Sequence, residues 1–288
     1  LMNKAKMMLK EKENNKPHTV DNSWHVLREY TAARIGLGRA GISVPTTPLL
    51  DFQLAHAQAQ DAVHLPLDCQ QLIADISSSN QCLTLHSQVF DRAQYLQRPD
   101  LGRRLNAESS ILLKQHAAPE NEAYDLAIVI VDGLSSFAIQ KNAAPLLQQL
   151  TRRLSMQGLS KSTAVACTFR LAPLVIVEQG RVAIGDEVAE LLNAKSVLVL
   201  IGERPGLSSP DSLGMYLTWA PKVGLTDESR NCISNVRPEG LVYPEAVNKI
   251  FYLLREAHQR KLTGVNLKER SQETENPLLQ QDKNFLIS

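Results

Sequence analysis

The sequence predicts an α/β protein in which a Rossmann-like, doubly wound and mostly parallel sheet follows a smaller helical domain. Two runs, Asp125–Val131 and Ser196–Ile201, are almost entirely apolar or small, with no polar alternation. This composition is typical of strands buried on both faces, as in parallel sheets covered by helices. Such strands alternate with helical patterns after about residue 120, which indicates βαβ connections. From Trp24 to Ala117 the pattern is helical and no strand is predicted.

The composition is that of a soluble globular protein. The chain has 288 residues, of which 43% are hydrophobic and 21% charged, and its net charge is +1. This near-neutral balance gives no electrostatic reason to expect nucleic acid or an anionic membrane as a partner. No apolar run approaches the roughly 18 residues that a membrane-spanning helix needs. The first residues contain no apolar core of signal-peptide length, so we expect no secretion.

The cysteines and histidines predict no metal site. The four cysteines form no Cys-x-x-Cys pair, which argues against a zinc site or a disulfide framework and fits a reducing cytoplasm. The seven histidines have no ligand spacing, because no His-Glu-x-x-His pattern accompanies them.

We expect a flexible tail over residues 1–20 and a helical domain over residues 21–120. Trp24, Leu27 and Ile35 recur at three- and four-residue steps, as on one face of a helix. The other helices predicted in this domain are Leu49–His64, Ser87–Leu96 and Gly102–Lys114, the last two separated by Pro99-Asp100.

Residues 121–268 are expected to form the Rossmann-like domain, and residues 269–288 a second flexible tail. The predicted strands are Asp125–Val131, Thr163–Arg170, Leu174–Val177, Ser196–Ile201 and Leu213–Trp219. The predicted helices are Ala138–Leu154, Ala183–Leu192 and Tyr243–Leu262, the last with Pro244 in its first turn.

Glu203 follows the most apolar strand, where Gly202 ends it and Pro205 and Gly206 form a tight loop. Ligands of open α/β sheets bind beyond the carboxyl ends of the strands. Glu203 is therefore a candidate ligand contact. The alternative is a surface turn in which Pro205 and Gly206 only set the backbone dihedrals.

Asp132 and Ser135 are candidates of the same kind, because Asp132-Gly133-Leu134-Ser135-Ser136 links a strand to a helix. The backbone N–H groups at the start of a helix point toward a ligand, and a carboxylate accepts hydrogen bonds from hydroxyls or amides. The alternative is that these residues only cap the helix.

The remaining sequence motifs give weaker indications of function. Gly36-Leu37-Gly38-Arg39-Ala40-Gly41 matches Gly-x-Gly-x-x-Gly, but a dinucleotide fingerprint needs a preceding strand, and here a helical pattern comes first. Arg103-Arg104 is a candidate for binding carboxylates of a partner, or for local pairing. No nucleophile elbow and no Walker loop occur. The lack of an evident catalytic set favours a subunit that helps to hold a ligand.

Seven segments, in order, resemble the small (light) subunit of ethanolamine ammonia-lyase from about Trp24 to Lys268. The most specific are Gly202-Glu203-Arg204-Pro205-Gly206-Leu207 and Asp100-Leu101-Gly102-Arg103-Arg104-Leu105. The others are Ala33–Gly41, Leu49–Ala57, Asp132–Ser135, Gly180–Val182 and Cys232–Asn235.

The resemblance implies an adenosylcobalamin-dependent lyase that converts ethanolamine to acetaldehyde and ammonia. The large subunit, a TIM barrel, would carry the substrate site, and the small subunit would cover the lower side of the cobalamin as a non-catalytic, cofactor-binding partner. Carried over by motif, the cobalamin contacts would be Val182, Glu203 and Cys232. Asp132 and Ser135 are further candidates that rest on loop position alone. The cysteine usage predicts a cytoplasmic protein, and the resemblance leaves open a place inside a bacterial microcompartment.

Two other hypotheses stay open from the residues. One is a stand-alone nucleotide-binding enzyme built on Asp132, Ser135 and the Gly36 loop. The other is a structural scaffold subunit, in which Glu203 is only a turn residue.

Overall fold

The computed structural model describes residues 18–76, 82–156 and 169–268. The chain divides into two compact units. Among the described residues, those up to Gln60 together with Gly206–Ser208 form the first unit, and the others form the second. The carboxyl-terminal tail of the prediction lies outside the described residues, as do residues 1–17 of the amino-terminal tail.

Strands and helices follow one another along the chain. The strands are β1 (Cys82–His86), β2 (Ala127–Val131), β3 (Leu174–Glu178), β4 (Ser196–Gly202), β5 (Leu213–Trp219) and β6 (Arg230–Val236). The α-helices are α1 (Thr46–His64), α2 (Cys69–Ile76), α3 (Arg92–Gln97), α4 (Ala107–Gln115), α5 (Ser136–Met156), α6 (Ile184–Leu192) and α7 (Tyr243–Arg260). Short 3-10 helices span Ser23–Glu29, Leu101–Arg103, Glu120–Glu122, Asp227–Ser229 and Gly264–Asn266. None of the helices in the described residues is long and apolar enough to cross a membrane.

The six strands form one mixed sheet in the order β1-β3-β2-β4-β5-β6. The pairings among β1, β3, β2 and β4 are parallel, whereas β5 and β6 pair antiparallel. The α/β class is confirmed, but a doubly wound, Rossmann-like sheet is not, because the sheet is mixed. The connection after β4, residues 203–212, contains no helix, and a parallel crossover usually needs one.

The central strands are buried on both faces, as the sequence predicts. Every residue of β2 and of β4 is buried. In the register of the sheet, Val199 of β4 lies between Val129 of β2 and Tyr216 of β5. Uninterrupted apolar side chains suit this position because neither face of the strand meets water.

Helices cover the sheet on both faces, in two separate cores. Alternate residues of β4 enter different cores: Leu198 and Leu200 pack with α5 and α7, whereas Val197 and Val199 pack with α6 and α4. The α5 and α7 core continues under the antiparallel strands, where α7 packs on both β5 and β6. The helix α6, on the other face, packs on β2 and β4.

Consecutive connections therefore leave the sheet in opposite directions. The chain passes from β2 to α5 on one face, and from the neighbouring strand β3 to α6 on the other face. The boundary between two such strands is a topological switch point, and the crevice beyond their carboxyl ends is the usual ligand site of open α/β sheets.

One predicted helix is wrong, and one predicted strand falls almost entirely outside the described residues. The helix predicted from Trp24 is only the 3-10 helix Ser23–Glu29, which Asn22 caps and which ends before Ile35. The strand predicted over Thr163–Arg170 lies outside the described residues except for its last two positions, which are not in a strand.

Two strands were missed, and both lie at the edges of the sheet. The strand β1 lies where only helices were predicted, and it buries just Leu83 and Leu85. The strand β6 buries Ile233 but exposes polar side chains such as Ser234. Edge strands of this kind carry too few apolar residues in alternation to give a sequence signal.

The first unit depends on arginine side chains that bind backbone carbonyls. Arg28 donates to the carbonyl oxygens of Ile35 (2.7 Å) and Gly36 (2.5 Å). Arg34 donates to the carbonyl oxygen of Leu207 (3.1 Å) and to Ser208 Oγ (3.2 Å). Two residue stretches far apart in the sequence are thereby joined within this unit.

Close packing of two glycines brings the loop after β2 against the end of β4. Gly133 has a φ of +62°, and a Cβ atom there would collide with the carbonyl oxygen of Gly202 and the side chain of Ile201. The backbone N–H of Leu134 donates to that same carbonyl oxygen (2.9 Å). Position 133 therefore requires glycine for both its dihedral angle and its space.

We expect Gly133→Ala to lower the free energy of unfolding by about 3 kcal/mol or more, through left-handed backbone strain and overpacking together. Gly224→Ala is the matched control, because Gly224 also has a positive φ (+100°) but a Cβ atom there meets nothing within 4 Å. The control should lose only about 1 kcal/mol. Urea denaturation of the purified proteins measures both, and equal losses would contradict the steric argument.

Candidate functional site

A cleft of about 920 Å³ opens beside the switch point in the second unit. This volume is within the range of small-molecule and cofactor sites. Its wall combines the ends of β2, β3 and β4 with side chains of α3 and of the segment between β5 and β6. The lining includes Tyr95, Leu134, Arg181, Val182, Ala183, Ile201, Glu203, Tyr216 and Leu225.

Glu203 lies in this wall directly after β4. Only one of its two carboxylate oxygens accepts hydrogen bonds from the described residues. Oε2 accepts hydrogen bonds from the Ser212 hydroxyl and from the backbone N–H of Asn235 (3.2 Å). The side chain lies across Gly214, where an added Cβ would come within 2.9 Å of Oε1. Oε1 accepts no hydrogen bond from any residue that the structure describes. Glu203 therefore presents a fixed acceptor in the cleft.

Val182 and Tyr216 supply apolar surface to the lining of the cleft. Val182 lies between β3 and α6 and packs against the core that α6 forms with the sheet. Tyr216, on β5, packs against the same core, and desolvation raises the pKa of its phenol. Apolar walls around a few fixed polar groups are typical of cofactor sites.

Cys232 does not line the cleft itself. It is an exposed residue of β6, paired in register with Tyr216 of β5. Partial desolvation by the surrounding protein raises the pKa of its thiol. The side chain is therefore a neutral thiol at neutral pH and not an activated nucleophile.

Asp132 lies at the switch point, and both oxygens of its carboxylate are bound by other groups of the protein. Its carboxylate accepts hydrogen bonds from the backbone N–H groups of Gly133 (2.8 Å), Gln179 (3.0 Å) and Gly180 (3.1 Å). The guanidinium of Arg92 approaches to 3.7 Å. These contacts join the loop after β2 to the loop after β3.

Ser135 is completely buried. Its hydroxyl donates to the carbonyl oxygen of Pro210 (2.8 Å) and accepts from the backbone N–H of Ala138 (3.1 Å). Because α5 begins at Ser136, Ser135 occupies the capping position of that helix. Asp132 and Ser135 thus organise the floor of the crevice, whereas Val182 and Glu203 line the cleft.

A buried ion pair fixes the far wall of the cleft. Arg230 of β6 binds both carboxylate oxygens of Asp186 in α6, at 2.7 Å each, and both side chains are almost fully buried. Arg230 also donates to the carbonyl oxygen of Leu225 (3.2 Å), which lines the cleft. The segment between β5 and β6 is thereby tied to the first turn of α6.

The two arginines of the Arg103-Arg104 motif have different surroundings. Arg104 makes a two-pronged ion pair with Glu187 of α6, at 3.0 and 3.1 Å, so the local-pairing interpretation holds for it. Arg103 is exposed and lines the cleft.

The Gly36–Gly41 motif does not have the surroundings of a dinucleotide site. It lies in the first unit, in a segment with isolated bridges such as Val20 to Arg39, and neither a strand precedes it nor a helix opens within it. The fingerprint requires both of these elements.

An α/β unit with a cleft of this size beside its switch point has the architecture that is typical of ligand-binding proteins. Comparisons with known proteins identify the family. The sequence model of the ethanolamine ammonia-lyase light chain (EutC) matches residues 21–268. The chain therefore belongs to the ethanolamine ammonia-lyase light-chain family.

Individual relatives agree with this assignment. The ethanolamine ammonia-lyase small subunit of Ralstonia nicotianae is 52% identical over 282 residues, covering 97% of this chain and 100% of the relative. The corresponding subunit of Pseudomonas fluorescens is 52% identical over 93% of this chain and 95% of its own length. That of Pseudomonas aeruginosa is 54% identical over 88% and 90%, respectively.

Sequence reasoning missed three contributors to the cleft. Tyr95 was predicted only as part of a helix, Tyr216 only as part of a strand, and the segment around Leu225 was not assigned. The places of Tyr216 and Leu225 depend on the pairing of β5 with β6 and on the contacts of Arg230. Tyr95 is positioned by its hydroxyl, which donates to the carbonyl oxygen of Gly180 (2.9 Å). Arg181 was named only within the family motif Gly180-Arg181-Val182.

The burial of Asp132 predicts a pH dependence of stability. Burial raises its pKa to about 6, against the opposing effect of backbone N–H groups and Arg92. An unfolded aspartate titrates near pH 4 or just below. Between about pH 4 and about pH 6 the folded state binds more protons, so this residue lowers the free energy of unfolding as the pH rises.

We expect Asp132→Asn to remove this falling component, so that the slope of the free energy of unfolding against pH becomes more positive between about pH 4 and about pH 6. Asp100→Asn is the control: Arg98 lowers the pKa of Asp100 to about 2, so its titration lies below this window. Urea denaturation across the pH range tests this, and an unchanged slope in Asp132→Asn would contradict it.

Proposed function

We propose that this chain is the small subunit of an adenosylcobalamin-dependent ethanolamine ammonia-lyase. In this assembly it joins a large subunit, and the complex converts ethanolamine to acetaldehyde and ammonia in the cytoplasm. The relatives are named small subunits, which supports a larger partner. The proposal gives this chain a binding role, with ethanolamine held mainly by the large subunit.

The observation that carries the proposal is the unused oxygen of the Glu203 carboxylate in the cleft. The rim of a corrin ring carries many amide groups, which donate hydrogen bonds, and its hydrocarbon framework is largely apolar. A fixed carboxylate oxygen between apolar walls complements both properties. Val182 would contact the corrinoid through its methyl groups, and Glu203 would accept from an amide side chain.

Cys232 would contribute from the edge of the same surface. Desolvation raises the pKa of its thiol, so the neutral thiol offers a small, weakly polar contact and no reactive group. Asp132 and Ser135 would act without touching the cofactor, because their polar atoms hold the loops that carry Leu134 and Val182. All five candidate residues then belong to one site. Three of them contact the cofactor, and Asp132 and Ser135 position the loops that do so.

The residues present fit the cofactor, and they leave the reaction itself to other groups. When bound, adenosylcobalamin supplies a radical by homolysis of its cobalt–carbon bond, which is the difficult part of the chemistry. This chain binds the corrinoid, orients it and shields its lower side from water. The parallel strands β1, β3, β2 and β4, with helices on both faces, support the description of this half as Rossmann-like.

Reconstitution with a cognate large subunit tests the function. We expect acetaldehyde formation from ethanolamine only when this chain, the large subunit and adenosylcobalamin are all present. A coupled alcohol dehydrogenase assay measures acetaldehyde, and leaving out each component in turn gives the controls. A well-folded complex without activity, or full activity without this chain, would contradict the proposal.

Glu203→Ala should raise the Kd of the complex for adenosylcobalamin by roughly tenfold, because a hydrogen bond to a charged group contributes about 1.5–3 kcal/mol. Glu245→Gln, in the first turn of α7, removes a carboxylate outside the cleft and should leave the Kd unchanged. Equilibrium dialysis measures both. An unaltered Kd in Glu203→Ala would favour the interpretation of Glu203 as only a turn residue.

A further inference from the structure

Positively charged side chains outnumber negatively charged ones in the lining of the cleft. Two of the carboxylates are paired with arginines outside the lining: Asp100 with Arg98 (2.7 Å) and Asp227 with Arg230 (3.4 Å). Arg104 is paired with a carboxylate outside it, that of Glu187.

Four charged groups of the lining remain after these pairs are removed. Arg103, Arg181 and Arg204 have no ion pair with any residue that the structure describes, and Glu203 is the single carboxylate left to oppose them. The wall of the cleft therefore carries an excess of positive charge, although the chain as a whole is nearly neutral. Such an excess attracts an anionic ligand group.

Arg181 is the most firmly held of the three arginines. Its guanidinium lies 4.0 Å from the centre of the Tyr95 ring, and Nη2 donates to the Tyr95 carbonyl oxygen (2.8 Å). Its backbone N–H donates to the carbonyl oxygen of Gly102 (2.7 Å). A Cβ atom at position 102 would lie 2.9 Å from Arg181 Cγ, so glycine there makes room for the side chain.

One donor of this guanidinium has no partner in the part of the chain that the structure describes. Arg181 Nε is buried and makes no hydrogen bond to any described residue. A buried donor left without an acceptor destabilises the protein, and more so when the group is charged. An oxyanion bound at Arg181 would supply both the missing acceptor and the missing negative charge.

We infer that Arg181, together with Arg103, forms a phosphate-binding subsite in this cleft. Arginine suits this role because its planar guanidinium binds two phosphate oxygens at once. The inference rests on the proposed function, because cobalamin carries a phosphodiester in its nucleotide loop. Arg181 and Arg103 then hold this loop, while Glu203 holds amide groups of the corrin.

The test compares two corrinoids on the complex of this chain with the large subunit. Cyanocobalamin carries the nucleotide loop and its phosphodiester, whereas dicyanocobinamide lacks them. Arg181→Gln should raise the Kd for cyanocobalamin about tenfold, and the Kd for dicyanocobinamide less than about twofold. Isothermal titration calorimetry measures both values, and the difference isolates the loop from the rest of the ligand.

Two further variants keep the test decisive. Arg103 is exposed and makes no ion pair in the described residues, so Arg103→Gln folds even if the loss of Arg181 disturbs Tyr95. It should weaken cyanocobalamin selectively, in the same direction as Arg181→Gln. Arg255→Gln removes an exposed arginine of α7, on the opposite face of the sheet, and should change neither Kd.

The outcomes separate this inference from the function on which it rests. Equal weakening of both corrinoids, or no weakening of either, would overturn the phosphate subsite and leave the proposed function intact. A wild-type complex that binds neither corrinoid would overturn the proposed function itself.

Discussion

The carboxylate of Asp132 is the contact on which the rest of the site depends. The pairing of β2 with β3 ends at Val131 and Val177, and the chain then continues to helices on opposite faces of the sheet. Asp132 accepts hydrogen bonds from Gln179 and Gly180 beyond this point, at 3.0 and 3.1 Å. Asp132, which directly follows β2, thereby sets the position of the segment that carries Arg181 and Val182.

Ion pairs between side chains hold the other walls of the cleft in position. The buried contact of Arg230 with Asp186 joins β6 to α6, and Glu187 of the same helix holds Arg104. Each of these arginines brings a different segment to the first turn of α6. Side chains that are already ordered lose little conformational entropy when a ligand binds, so the cleft is preorganised.

The sequence predicted the centre of the molecule better than its edges. The uninterrupted apolar residues of β4, from Ser196 to Ile201, identify a strand buried on both faces, and the loop position of Glu203 follows from it. The polar strand β6 has no such pattern, so the place of Cys232 in the sheet was not predictable. Nor does any local pattern indicate that Arg230 reaches Asp186, because that contact depends on the antiparallel pairing of β5 and β6.

The lining of the cleft comes from widely separated parts of the chain, from Tyr95 in α3 to Asp227 after β5. A ligand held there acts as a reversible cross-link between segments that the backbone connects only through most of the second unit. Binding to the folded state alone stabilises it by mass action, by about 2.7 kcal/mol at a ligand concentration one hundred times Kd. Ligand binding in the cleft and folding of this unit are thus linked equilibria, so that a change in one shifts the other.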